Sequence, residues 1–543
     1  MSDPSQGWLL ATWAWPLALL LACTWPTARR LMPQLLALAP LPALAAALFA
    51  TDVPRVSIGG RPLELLFGLD APGALLLSVA SLLWIAAGAY AGSYLRDGAH
   101  AGRFAACWLL ASAGCLGLFV AADLVSLYAM LAMLTIGAGG LVIHDGTPRA
   151  WRAGATYVGL ALLAESVLLV GLVMLAVEMP GPGLGVDEAV MTLAASPQRA
   201  TILALLVFGF GLKAGLVPLH VWMPLAHTAA PVPASAVLSG AVVKAGIIGL
   251  IRFLPSGEAL PVTGQMLAVA GFVTAFYGVV VGLTQRHPKA VLAYSSVSQM
   301  GVVVAALGLG LAVGDGKASM AAAFYAAHHV LVKGALFLAV GVAAAGTKGR
   351  RGWVLAPALV LCLGLGGLPF TGGAVAKFAV KDVFGTGIAA ALSAASAAGT
   401  TLLMLHFLRR LAIAEVKGDR PAPAGLLLPW LAMAAAALLM PWLLYALAGL
   451  GSATAAFDPP ALWQALWPVT AGVALALALR GRADRLPSIP EGDIAAGLEP
   501  ALRVSRRLGT RLDGLDCVLR RWSVASVALA LVAIALGWTL LPR

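Results

Sequence analysis

Charge is what this sequence has least of: 11% of its 543 residues are Asp, Glu, Lys or Arg, whereas 61% are hydrophobic. Soluble domains carry about a quarter charged residues, so this scarcity excludes a water-soluble globular fold. Cysteine is sparse too. Cys23, Cys107, Cys115, Cys362 and Cys517 show neither a CxxC nor a Cys/His spacing, which excludes a zinc module, and four of the five lie in apolar runs where they read as packing. No glycine-rich nucleotide loop and no haem, flavin or iron–sulfur motif occurs, so no cofactor, metal or catalytic chemistry is expected on the chain itself. The formal net charge of +12 does not point to nucleic acid, because the Lys and Arg residues sit in short loops between apolar runs.

Those runs are the dominant feature. Stretches of roughly 17 to 25 apolar residues recur along the chain, and roughly sixteen are long enough to cross a bilayer. The first, from Trp8 to Trp25, has an acidic lead-in and is followed directly by further spans, so it reads as a retained helix rather than a signal peptide. Cations cluster in every second loop: Arg29/Arg30, Arg96/Arg103, Arg149/Arg152, Arg286/Lys289, Lys348/Arg350/Arg351 and Arg409/Arg410/Lys417/Arg420. In the alternate loops, Glu178 to Glu188 carries only carboxylates, and Arg55, Arg61, Arg252 and Lys317 are scattered. The positive-inside rule then puts the N-terminus outside an inner (plasma) membrane and residues 481–521 in the cytoplasm.

The spacing divides the chain into N-terminal spans in 1–102, five spans in 103–254, five in 265–412, two more in 425–480, a polar Arg-rich segment at 481–522 and a last span at 523–541. Leucines at helical spacing make 481–522 either an amphipathic helix on the membrane surface or against a partner, or a positively charged retention loop. Each five-span block has its fourth span broken by Gly and Pro beside a lysine: "GLKAGLVPLH" holds Lys213 and "GLPFTGGAVAKFAVK" holds Lys377. Matching breaks in two halves point to an inverted-repeat transporter with its site near the midplane.

An ionisable group at bilayer depth is expensive and marks a polar interior. Beyond the two break lysines, Lys244 lies in "SGAVVKAGIIGLIRF", His328, His329 and Lys333 in "AAHHVLVKGALFLAVG", and Glu165 in "VGLALLAESVLLVGL". Four lysines on four spans suggest one hydrated track. Burial disfavours an ammonium and a nearby carboxylate restores it, so a lysine between those influences can take up and release a proton, with histidine carrying it onward. His220, His227, Lys381 and Asp382 are secondary candidates. The two histidines fall at a helix end, where capping the loop is an equal alternative.

The segments "GLKAGLVPLHVWMPLAHTAAPVPASAVLSGAVVKAG", "RHPKAVLAYSSVSQMG", "HHVLVKGALFLAVG" and "GLPFTGGAVAKFAVKD" resemble the antiporter-like, proton-conducting subunits of respiratory complex I, shared with Mrp-type cation/proton antiporters, membrane-bound hydrogenases and DabB-type subunits. The resemblance covers roughly residues 60–415. It implies an all-α polytopic membrane protein, with a core of about 14 helices in which two inverted five-helix repeats carry broken helices, plus about two extra C-terminal helices. It also implies that Lys213 is the lysine of the first channel, Lys244 the connecting residue, His329 and Lys333 the central axis and Lys377 the lysine of the second channel. One departure stands out. Where the family carries a Trp-Glu pair whose glutamate partners the first-channel lysine, this chain has Leu131 and Ala132, and Glu165 on the next span is the candidate replacement.

The expected function is proton translocation by a subunit that couples proton movement to a partner assembly's redox, cation-exchange or carbon-uptake work, as in an NADH:quinone-like or hydrogenase-like oxidoreductase. A non-conducting scaffold and a self-sufficient cation/proton antiporter are the alternatives. Expected partners are other membrane and peripheral subunits, the lipid bilayer, and protons, with Na+ as a further candidate.

Overall fold

The computed structural model describes residues 4–51, 53–60, 64–96, 100–181, 184–347, 349, 351–416, 421–480, 487 and 489–494. Contacts divide the chain into a unit comprising residues 1–491 and a second comprising 492–543, of which only 492–494 are described. The expected last span at 523–541 and most of the segment 481–522 lie outside the described residues.

The first unit is nearly all helix. In chain order come α1 (Pro4–Ala22), α2 (Pro26–Leu35), α3 (Leu41–Phe49), α4 (Ala71–Tyr94), α5 (Ala101–Val120), α6 (Leu124–Val142), α7 (Pro148–Glu178), the short α8 (Val186–Ala195) and α9 (Arg199–Ala214). Then follow α10 (Trp222–Ala229), α11 (Val232–Val237), α12 (Lys244–Phe253), α13 (Pro261–Leu283), α14 (Pro288–Val313) and α15 (Lys317–Ala345). The series closes with α16 (Arg351–Gly366), α17 (Gly372–Phe384), α18 (Ile388–Ile413), α19 (Ala424–Leu447) and α20 (Pro459–Ala478). Thirteen helical segments among the described residues are long and apolar enough to cross a membrane. The roughly sixteen expected from sequence also counted α1, the α16–α17 pair and the undescribed 523–541. One element departs from the all-α expectation: β1 (Val56–Ile58) pairs antiparallel with β2 (Leu65–Phe67), Val56 opposite Phe67. Phe67 bridges on to Ala121 at the end of α5, which satisfies backbone groups between two helices.

Local chemistry sets the helix starts. Asp70 caps α4, accepting from Gly73 N at 2.8 Å; Asp123 caps α6 with a reciprocal Ser126 bond; Thr147 caps α7. Proline stands in the first turn of α4, α7, α13 and α14, where its missing N–H leaves nothing unpaired. Gly264, Gly271 and Gly278 recur every seventh residue on α13 and lie against the backbone of α14; a Cβ at Gly271 would come within 2.5 Å of Ala305 N. Small residues are what let membrane helices approach this closely.

Burial separates centre from rim. The α11–α12 span is 100% buried, α15 94% and α14 83%, whereas α19 is 33% and α20 22% buried. Two cations that sequence places in loops prove to be structural. Arg252 Nε and Nη2 donate to the Asp70 carboxylate at 2.9 and 3.0 Å, and the same guanidinium reaches the carbonyls of Leu118, Phe119 and Ala121 at 3.0, 2.6 and 2.9 Å. Its rigid fork of donors thereby ties α12 to the ends of α4 and α5. Lys289, in the first turn of α14, is buried and donates to Ala230 O at 2.5 Å and Ser235 Oγ at 3.3 Å, pinning the α10–α11 junction.

Candidate functional site

Both interrupted helices break at a left-handed glycine. α9 ends at Gly215 (φ 81°) and resumes as α10; α16 ends at Gly367 (φ 104°), passes Phe370 at φ 63° and resumes as α17. Glycine takes this conformation without the penalty a Cβ would add. The lysines sit on opposite sides of their breaks, Lys213 in the last turn before one and Lys377 in the second turn after the other.

Lys213 is buried and meets Glu165 of α7. Its Nζ donates to Glu165 Oε1 at 2.6 Å and to Thr135 Oγ1 at 2.7 Å, while Thr135 of α6 donates to the same carboxylate oxygen at 2.5 Å. Leu131 and Ala132 contribute no charge here; the carboxylate comes from the neighbouring helix. The adjoining space, lined by Leu134, Tyr157 and Trp222 among others, is about 10 Å³, the size of one water.

At the centre, Lys244 is fully buried at the start of α12. Before it the helix widens into a π turn, Leu238–Val242, which frees the Ser239 carbonyl to accept from Lys244 Nζ at 3.3 Å. The same Nζ lies 2.6 Å from His329 Nδ1, and Ser239 Oγ lies 2.7 Å from Ser296 Oγ. This third break, in "LSGAVVK", is legible in the sequence only as a Ser-Gly pair before a lysine. Lys333, fully buried, donates to Leu292 O at 2.9 Å and to Ser295 Oγ.

Helix α15 supplies the rail. Tyr325, His329 and Lys333 follow at four-residue intervals and therefore share one face. Lys377 Nζ donates to Tyr325 Oη at 3.5 Å and lies 5.7 Å from the ring centroid. Tyr325 Oη donates to Gln299 Oε1 at 2.8 Å, and Gln299 Nε2 to Thr400 Oγ1 at 2.9 Å. Thr135, Ser295, Gln299, Tyr325 and Thr400 are not singled out by sequence, since uncharged polar residues are common in membrane helices and carry no signal individually.

The secondary candidates scatter. His220 is buried against the rings of Tyr277 (5.1 Å) and Tyr294 (6.0 Å). His227 is buried with its ring 5.2 Å from Phe337, and neither ring nitrogen has a hydrogen-bond partner among the described residues. The N-termini of α10 and α11 carry no side-chain cap hydrogen bond. His328 is buried on α15, whereas Lys381 and Asp382 are exposed near the end of α17.

A multi-pass membrane protein with an intramembrane row of lysines, histidines and one carboxylate is the class that this fold and site define. The family model described as NADH:quinone oxidoreductase/Mrp antiporter, transmembrane, matches residues 121–405, just over half of the chain, and the chain belongs to that family. It is 29% identical over 351 residues to hydrogenase-4 component B of Escherichia coli, a match covering 58% of this chain and 50% of that protein, so the chain spans about half the length of that relative. It is 30% identical over 413 residues to NADH-quinone oxidoreductase subunit N of Salinispora tropica, covering 70% of this chain and 80% of that one. A solved Mrp complex from Dietzia contains a chain with the same fold, at TM-score 0.78 and 23% identity, covering 96% of this chain and 62% of that chain.

Proposed function

We propose that the chain is a proton-translocating, antiporter-like subunit of an inner membrane, coupling proton movement to the work of a partner assembly. One observation carries this reading: polar groups in the core occur as short hydrogen-bonded clusters, Glu165–Thr135–Lys213, Lys244–His329, Lys333–Ser295 and Gln299–Tyr325–Lys377, the last three meeting along α15. Each cluster joins a basic nitrogen to a group that can accept or donate a proton, and each sits where an idle charge would be costly.

In this reading the Glu165–Lys213 pair gates the first half. While the contact holds, the carboxylate favours the ammonium; when it loosens, burial favours release of the proton toward Lys244. His329, bonded to Lys244 through Nδ1, passes it along α15 to Lys333, and Tyr325 and Gln299 join that axis to Lys377. In the orientation proposed here, which the positive-inside rule favours, the N-terminus is outside and residues 481–521 are cytoplasmic. Partner subunits supply the driving reaction, and protons, with Na+ as a candidate second ion, are the cargo.

The test is proton flux across vesicles holding the chain alone and across vesicles from cells expressing it with its neighbouring genes. Flux in the assembly that Lys333→Met abolishes supports the proposal. Cation-dependent exchange by the chain alone would make it a self-sufficient antiporter, and assembly with no effect of any of the four lysines would make it a scaffold.

A further inference from the structure

The second broken helix leaves its lysine without a fixed counter-charge. Among the described residues, Lys377 has no carboxylate partner; its Nζ meets Tyr325, and its methylenes run past Gly367. It faces a cavity of about 450 Å³ between α17, α18 and α20. Lys381, one helical turn further on, lines the same cavity, so the four-residue spacing stacks two ammonium groups on one wall. Thr386, Ser393, Gln464 and the Trp467 indole, all able to donate hydrogen bonds, line the rest of the cavity, and no carboxylate does. Asp382 is turned about 100° around the helix from Lys381 and is absent from the lining.

We infer that this cavity binds a small monovalent anion, such as chloride or formate, between Lys377 and Lys381. The anion is the soluble counterpart of what Glu165 provides for Lys213. Two cations on one wall of a cavity lined by hydrogen-bond donors and no acid attract an anion and repel metal cations. The role given to the anion rests on the proton-path reading; its binding does not, and can be measured without flux.

The experiment is chlorine NMR of chloride titrated into the purified full chain in detergent, with gluconate keeping ionic strength constant. The expected result is saturable line broadening that formate reverses. Lys381→Gln should weaken it about tenfold, Lys381→Arg should retain it, and Lys317→Gln, on the exposed start of α15, should leave it unchanged. Because Lys381 is exposed, its substitution is not expected to disturb folding, which a melting curve verifies. Absence of saturable broadening, or broadening equal in wild type and Lys381→Gln, overturns the inference. A chain that fails this test but loses proton flux on Lys377→Ala keeps its proposed function; one that binds chloride yet conducts no protons keeps the anion site alone.

Discussion

The two broken helices solve the same problem with opposite means. In the first, a lysine is locked to a carboxylate and a hydroxyl beside a pocket of about 10 Å³; in the second, a lysine touches one tyrosine and looks into about 450 Å³. An ammonium away from bulk water needs either a fixed anion or access to mobile charge and water; Lys213 has the first, whereas half-buried Lys377 opens onto a cavity. The lesson is that matching sequence motifs do not imply matching electrostatics. The first half holds its charge by geometry, whereas the second holds it by exposure.

The largest effect that bears on this contrast is Lys377→Ala, which should abolish coupled proton transport while membrane insertion stays normal, because an apolar side chain removes both the carrier and its desolvation penalty. Dye-reported acidification of vesicles, with protein quantified in the membrane, checks it; full transport in correctly inserted protein would take Lys377 off the path. Next, Lys213→Ala should destabilise the protein by about 3 kcal/mol in a thermal or denaturant series, since Glu165 is left buried without its ammonium. Glu165→Gln should impair transport about as much as Lys213→Ala, and the two changes should couple by roughly 0.5 to 3 kcal/mol in a double-mutant cycle. Additivity would mean that the contact does nothing for transport. Moving the carboxylate back, with Glu165→Ala and Ala132→Glu together, should recover part of the flux.

Tyr325→Phe should have an intermediate effect. It keeps the ring under Lys377 and removes only the hydroxyl that links it to Gln299, so a loss of several-fold in flux with unchanged melting is expected. A wild-type rate would place the connection through water instead. The smallest effect is a control outside both halves' polar clusters: Asp70→Ala removes the cap of α4 and the partner of Arg252, lowering stability by about 1 to 2 kcal/mol with no specific change in transport. Transport loss beyond what the unfolding explains would extend the functional network to that end of the molecule.

Much of this arrangement is legible in the amino-acid sequence. The costly residues, Lys213, Lys244, His329, Lys333, Lys377 and Glu165, stand out against apolar surroundings, and Gly and Pro mark two of the three helix interruptions. What stays hidden follows from physics. The π turn before Lys244 has no proline to announce it, and hydroxyls such as Thr135 and Ser295 are cheap in a helix because they can bond their own backbone. Lys289 and Arg252 read as loop charges because hydropathy cannot tell a solvated cation from one folded back onto carbonyls. Whether a lysine meets a carboxylate or a cavity depends on which helices become neighbours, and α7 against α9, or α20 beside α17, cannot be deduced from periodicity.

The most direct test of the account is to compare proton flux in Glu165→Gln and Lys377→Ala side by side, in the same vesicles and at matched protein density. If the clusters form one route in series, both variants should fall to the background of protein-free vesicles. A Glu165→Gln variant that keeps the wild-type rate while Lys377→Ala loses it would contradict a single route and leave the second half conducting on its own.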